Sequence, residues 1–223
     1  KTTTGSLTVS PVAASGAYSL TQVAGAHITN WRAVSGGAAL WLRFDELPGP
    51  VWYQDTSGSQ PPHDAFCMGT GCTVVNGGRF GNAVQLDGNS YVHSDAPVSP
   101  TAYAVAFWFK ASQDNPTAPL FNDYYGGEYR VKVDLEAGKI CARIPNSAMC
   151  TAAPLSNQRW HHVVHTYGAA IGGQKLYVDG RLEASAPGTG TATSLTWNSN
   201  FGGTRQNVPS YFVGLIDDAR VYS

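Results

Sequence analysis

The chain has 223 residues, 43% of them hydrophobic and 13% charged, with a formal net charge of −1. That length suits one large β domain or two small ones, with enough apolar content for a core that needs no staples. The charged share is about half that of an average domain. Five scattered lysines form no basic run, which excludes a nucleic-acid binder, because phosphate recognition needs clustered Lys and Arg. No segment approaches the roughly 20 apolar residues that span a bilayer, so no membrane insertion is expected. The sequence opens at Lys1 without a signal-peptide pattern, and we read it as a processed or excised form.

Residues 1–37 are rich in Thr, Ser, Ala and Gly, carry only weak alternation, and end in Ser35-Gly36-Gly37. They read as an extended N-terminal arm. Polar arms stay ordered only when something ties them down, and pairing with a sheet edge does so. The expected partner is therefore another copy of the chain, in a homo-oligomer or polymer joined through residues 1–37, or the arm's own sheet. Residues 38–223 form the second unit.

From there short alternating runs separated by Gly, Pro, Asn and Asp recur, and no run has a helical period. Residues 39–45 set Leu40, Leu42 and Phe44 against Trp41 and Arg43. Residues 103–110 are almost all apolar, as a central strand buried on both faces would be. Residues 128–135 put Tyr129, Val131, Val133 and Leu135 on one face. Runs at 139–144, 160–167 and 174–179 follow. Asp179-Gly180 marks a tight hairpin, because Gly tolerates positive φ. Residues 211–222 close the chain as one long strand or two. A dozen or so short strands predict an all-β antiparallel sandwich.

The four cysteines are Cys67, Cys72, Cys141 and Cys150. Local disulfides Cys67–Cys72 and Cys141–Cys150 are the natural pairing, and the rival is a four-cysteine zinc site, whose second spacing would be unusually wide. Disulfides fit the small-polar composition and imply an oxidising, extracellular setting.

Six blocks of residues carry a family resemblance. They are Leu40-Trp41-Leu42-Arg43-Phe44-Asp45-Glu46, Asp55-Thr56-Ser57-Gly58, the stretch from Gly78 through Ala83 to Gly88, Trp160-His161-His162-Val163, Leu176-Tyr177-Val178-Asp179-Gly180, and the closing Gly214-Leu215-Ile216-Asp217-Asp218-Ala219-Arg220-Val221-Tyr222. In this order they resemble the laminin-G-like domains, relatives of pentraxins and concanavalin A-type lectins. The resemblance implies a jelly roll of two curved antiparallel sheets. It leaves function open, because that fold hosts lectins, enzymes, adhesins and structural modules.

Catalysis on this fold uses carboxylates at alternate strand positions. The nearest candidate, Asp134-Leu135-Glu136, lacks a third carboxylate and runs into Ala137-Gly138, so it reads as a solvated turn and no enzyme is expected. His161, His162 and His165 are read as packing residues, since four strand positions span about 13 Å, too far for one ion. If residues 211–221 run unbroken, Asp217 shares a face with Val213, Leu215, Ala219 and Val221 and needs a cation or several donors. The resemblance implies calcium there, with Asp55 and Asp217 as ligands; the alternative for Asp55 is a turn that caps its own backbone. Trp52 and Tyr53, with Asn122, Asp123 and Tyr124 on an expected exposed loop, are the candidate sugar-binding residues. Trp41, Trp108, Trp160 and Trp197 read as core. The expectation is a non-catalytic extracellular structural or adhesive module, self-assembling through its arm. The alternative is a calcium-dependent carbohydrate-binding module.

Overall fold

The computed structural model describes residues 37–47, 49, 52–96, 102–114, 117–125, 128–155, 158–188, 198–203 and 211–222. They form β1 (Ala38–Leu42), β2 (Trp52–Tyr53), β3 (Ala65–Met68), β4 (Cys72–Asn76), β5 (Asn82–Asp87), β6 (Tyr91–Ser94), β7 (Ala102–Ala111), β8 (Ala118–Tyr125), β9 (Glu128–Glu136), β10 (Lys139–Ile144), β11 (Ser147–Cys150), β12 (His161–Gly168), β13 (Gly173–Val178), β14 (Arg181–Ala186), β15 (Ser199–Phe201) and β16 (Val213–Tyr222). A single 3-10 turn, Ala169–Ile171, is the only helical segment among these residues, and no helix is long and apolar enough to cross a membrane. The arm expected at residues 1–37 lies outside the described residues, save Gly37.

The strands make two antiparallel sheets, as the alternation predicts. The first runs β14-β13-β12-β7-β16-β5-β4, with β1 also paired to β16; the second runs β11-β10-β9-β8-β15-β6-β3-β2. The Asp179-Gly180 hairpin forms with φ of 51° and 80° at its two central residues, the left-handed pair that matches strand twist. Strand β7 is central but not buried on both faces. Val105, Phe107 and Phe109 are fully buried, whereas Ala104, Trp108 and Lys110 on the other face are only half-buried.

Between the sheets lies one aromatic and aliphatic core. Phe107 of the first sheet meets Phe201 of the second at 6.0 Å between ring centres, and Phe201 meets Phe121 at 5.1 Å. The disulfides Cys67–Cys72 and Cys141–Cys150 form as paired in the sequence reading, and no described cysteine is free. Each closes a short loop, so the core rather than the crosslinks carries the fold.

The core also holds polar groups. His165 is fully buried, bonded through Nε2 to Gln174 Oε1 at 3.0 Å; burial pulls its pKa down to about 4, so the ring is neutral. Asp123 is 2% exposed and its Oδ1 has no hydrogen-bond partner. Burial pushes its pKa up to about 7, against the opposing pull of Arg130.

That shift has a definite sign. Between pH about 4 and 7 native Asp123 keeps a proton that the unfolded chain has lost, so rising pH costs stability through this group. Asp123→Asn removes the titration. Denaturant unfolding should show the variant gaining stability relative to the parent as pH rises from 4 to 8; a difference that is flat with pH would refute the buried, protonated carboxyl.

Candidate functional site

Strand alternation sends one set of side chains of the second sheet inward and the other outward. Inward lie Tyr53, Ala65, Val92, Ser94, Ser199, Phe201, Phe121 and Asp123, all buried. The outward set includes a row set by register: Trp52 opposite Phe66, Phe66 opposite His93, His93 opposite Asn200, and Asn200 opposite Asn122. Crossing five adjacent strands, it spans about 19 Å at the usual strand spacing.

The side chains of this row touch in sequence. Trp52 lies 5.9 Å from Phe66, and Phe66 makes an edge contact with His93 at 4.9 Å. His93 Nδ1 meets Asn200 Oδ1 at 2.8 Å, and Asn200 Nδ2 donates to Asn122 Oδ1 at 3.2 Å. Asn122 Nδ2 donates to the Gly203 carbonyl. Because Asn200 uses its amide as donor, its oxygen accepts from His93, which sets the proton on Nδ1. His93, Asn200 and Asn122 are thereby buried and locked, while Trp52 at one end stays 61% exposed. The row continues to Lys132 and Arg143 at the far end.

Of the sequence-predicted sugar residues, Trp52 and Asn122 fall in this row. Tyr53 points the other way: it is fully buried, in an edge contact with Phe44 at 5.2 Å. Asn122, Asp123 and Tyr124 lie within β8 rather than on an exposed loop; Asp123 faces the core, and the Tyr124 side chain falls outside the described residues. Phe66, His93 and Asn200 went unread, because their runs are four and three residues long and only the strand pairing puts them beside Trp52.

The family resemblance implies Asp55 and Asp217 as calcium ligands. Asp55 accepts from Trp41 N (3.0 Å), Ser57 N (2.9 Å), Ser59 Oγ (2.8 Å) and His63 N (3.0 Å). Burial tends to raise its pKa, but these bonds outweigh it and hold the carboxylate below its usual range. All four acceptor positions are taken, which is the backbone-capping role. Asp217 is fully buried and accepts from Phe80 N at 2.8 Å, with Oδ1 unpartnered. Burial raises its pKa to about 7, against hydrogen bonds from Phe80 and Asp218 that lower it. The two carboxylates share no donor. The pair does not fit a calcium cage.

Nor does β16 run unbroken. A bulge between Asp217 and Arg220, with φ of 48° at Asp218, shifts the register. Ile216, Ala219 and Val221 are buried, while Val213, Leu215, Asp218 and Arg220 are half-buried on the outer face. Asp217, opposite the outward Trp108, keeps the expected company of Val213 and Leu215, and it is the company of Ala219 and Val221 that fails: one extra residue inverts the alternation beyond it.

Asp134 is not on a solvated turn. It is 4% exposed at the end of β9, with Lys132 at 3.0 Å and Arg143 at 3.2 Å, and Arg143 also holds Glu136 at 2.5 Å. Burial nonetheless raises its pKa, with Lys132 and Arg143 opposing. One guanidinium thus bridges both carboxylates. The histidines pack as expected: His161 pairs with Asp179 at 2.8 Å, and His162 stacks on Trp108 at 4.9 Å.

Trp41, Trp108 and Trp160 are half-buried rather than core, and Trp197 lies outside the described residues. On the outer face of the first sheet, Arg220 covers Trp41 at 4.3 Å and Arg79 covers Trp108 at 4.6 Å. These cation–π contacts occupy the ring faces a sugar would need. Trp52 has no such cover among the described residues.

Residues 86–223, more than half of the chain, match the laminin-G form of the concanavalin A-like lectin/glucanases superfamily. None of the curated proteins compared with the chain matches it. Among solved structures, domain 4 of AbnA, an extracellular GH43 arabinanase from Geobacillus stearothermophilus solved with arabinotriose, superposes at a TM-score of 0.62 and 18% identity, over 84% of this chain and 92% of that one. The receptor binding domain of a botulinum neurotoxin C/D mosaic superposes at 0.63 and 17% identity, over 85% of this chain and 48% of that one. Trypanosoma rangeli sialidase, solved with sialic acid, superposes at 0.61 and 16% identity, over 84% of this chain and 31% of that one. The chain thus spans about half of the neurotoxin domain and about a third of the sialidase, and at these identities the likeness concerns the fold. The chain belongs to the concanavalin A-like lectin/glucanase superfamily.

Proposed function

We propose that this chain is a non-catalytic carbohydrate-binding module of a secreted protein, and that it holds its saccharide on the outer face of the second sheet. The carrying observation is Trp52, exposed at the end of a row in which every other member is fixed by its neighbour. A sugar presents an apolar face to an indole and edge hydroxyls to polar groups. Phe66 widens the platform. The locked His93–Asn200–Asn122 ladder keeps it rigid, so little entropy is lost on binding. The arabinotriose and sialic acid bound by two of the fold's relatives support a saccharide as ligand.

One argument favours binding without turnover. The nearest carboxylate pair, Asp134 and Glu136, is tied up by Arg143, whereas a glycosidase acid must give its proton to the substrate. The disulfides favour an oxidising compartment. Assembly into filaments through residues 1–37 rests on residues outside those described, and no feature of the sandwich favours it over sugar binding.

Trp52→Ala should weaken binding to any polysaccharide the parent retains in affinity electrophoresis by roughly ten- to hundredfold, the scale of burying one large apolar side chain. Parent-like retention by the variant, or no retention of any glycan by the parent, would sink the proposal. Binding should also be independent of calcium: EDTA should leave both affinity and melting temperature unchanged. A calcium-induced rise in melting temperature that Asp217→Asn abolishes would instead restore the ion to this site.

A further inference from the structure

The outer face of the first sheet carries a groove of about 530 Å³, within the size range of ligand pockets. Its position follows from register. Gln85 of β5 lies opposite Leu215 of β16, which lies opposite Lys110 of β7. The bulge in β16 is what turns Leu215 outward, so it forms an apolar floor with Val75. Around that floor stand the amides of Asn76, Gln85 and Gln158 and the ammonium of Lys110.

Asn76, Gln85 and Gln158 are exposed, and two properties of the groove bear on its ligand. Its polar side chains converge on one concavity, and none has a hydrogen-bond or ion-pair partner among the described residues. Its only charge is a cation: no carboxylate lines it. The next acid along β5, Asp87, accepts from the Asn89 N–H at 2.9 Å and is not part of the lining. Lys110 is half-buried, so an anion docked against it is partly shielded from water and the contact is stronger than an exposed ion pair. Amides both donate and accept, which matches neighbouring hydroxyls. The floor of Leu215 and Val75 accepts the C–H face of a sugar ring.

We propose that this groove is a second saccharide site, on the sheet opposite Trp52, for a sugar that bears a carboxylate. Lys110 binds the carboxylate, Asn76, Gln85 and Gln158 bind ring hydroxyls, and Leu215 supports the ring. A module with sites on opposite faces engages two glycan segments at once, and each then raises the effective concentration of the other.

The test is calorimetric titration of the parent, Trp52→Ala and Lys110→Met with an oligogalacturonate and with a neutral oligogalactoside of equal length. The expected result is preferential binding of the acidic oligomer, weakened about tenfold or more by Lys110→Met, the scale of one charge-assisted hydrogen bond. That binding should fall with added salt and survive Trp52→Ala. Lys110→Arg, which keeps the charge, should retain it, and unchanged thermal melts of the variants establish that they fold. The proposal is overturned if the acidic oligomer binds no tighter than the neutral one, if Lys110→Met binds like the parent, or if Trp52→Ala abolishes acid binding. The last outcome would move the acidic sugar to the first face and leave the carbohydrate-binding reading intact.

Discussion

The closing strand β16 is the constraint on which the first sheet depends, and a single bulge in it sets the roles of its residues. Its first half pairs with β5 and β7, and its second half pairs with β7 and with β1, the first strand of the sandwich. Serving three neighbours requires a change of course, which the extra residue at Asp217–Asp218 supplies. Upstream, Ile216 points into the core and Leu215 points out. Downstream, Ala219 and Val221 point in. At the bulge itself Asp217 is buried against the Phe80 N–H, while Asp218 accepts from Trp41 Nε1 at 2.7 Å and holds Arg220 at 2.9 Å. A continuous strand would have exposed Ile216 or buried Arg220.

The two outer faces divide their chemistry. On the first, aromatic rings are covered by guanidinium groups, and Asp218 anchors one of them. Such covered tryptophans seal the sheet surface while the cation stays partly hydrated. On the second, the rings of Trp52 and Phe66 are backed by an amide–imidazole ladder that ends on the Gly203 carbonyl. Leaving one large ring in water costs apolar surface with no structural return, which is why an uncovered, braced Trp52 reads as a contact surface.

The interior tolerates polar groups at a cost in stability. Burial pulls the pKa of His165 down to about 4 and pushes that of Asp123 up to about 7, the latter against the pull of Arg130, because a charge is expensive between two apolar sheets. A carboxylate is held ionised where enough donors converge, as the four on Asp55 do. The difference between Asp55 and Asp217 is one of donor count. Burial acts on both, and only Asp55 has enough N–H and O–H groups to outweigh it.

Alternation, turn residues and cysteine spacing were local enough to be legible along the chain. They determined the all-β class, the Asp179-Gly180 hairpin, the two short disulfide loops, the inward face of β1 and that of β9 from Val131 on, though not Tyr129, which is exposed beside a register shift, because a strand's period and a turn's backbone angles depend on neighbours within a few residues. Tertiary structure decided the rest. Whether Tyr53 or Trp52 faced water depended on which side the other sheet lay. Whether Asn122 sat on a loop or in a strand depended on pairing with β15, some eighty positions away in sequence. Asp217 could be marked as a carboxylate needing a partner, and alternation rightly grouped it with Val213 and Leu215, but its separation from Ala219 and Val221 was not legible because the bulge answers to three strands at once. The row on the second sheet and the groove on the first are both made from residues of separate strands, and register, a property of strand pairs, brings them together.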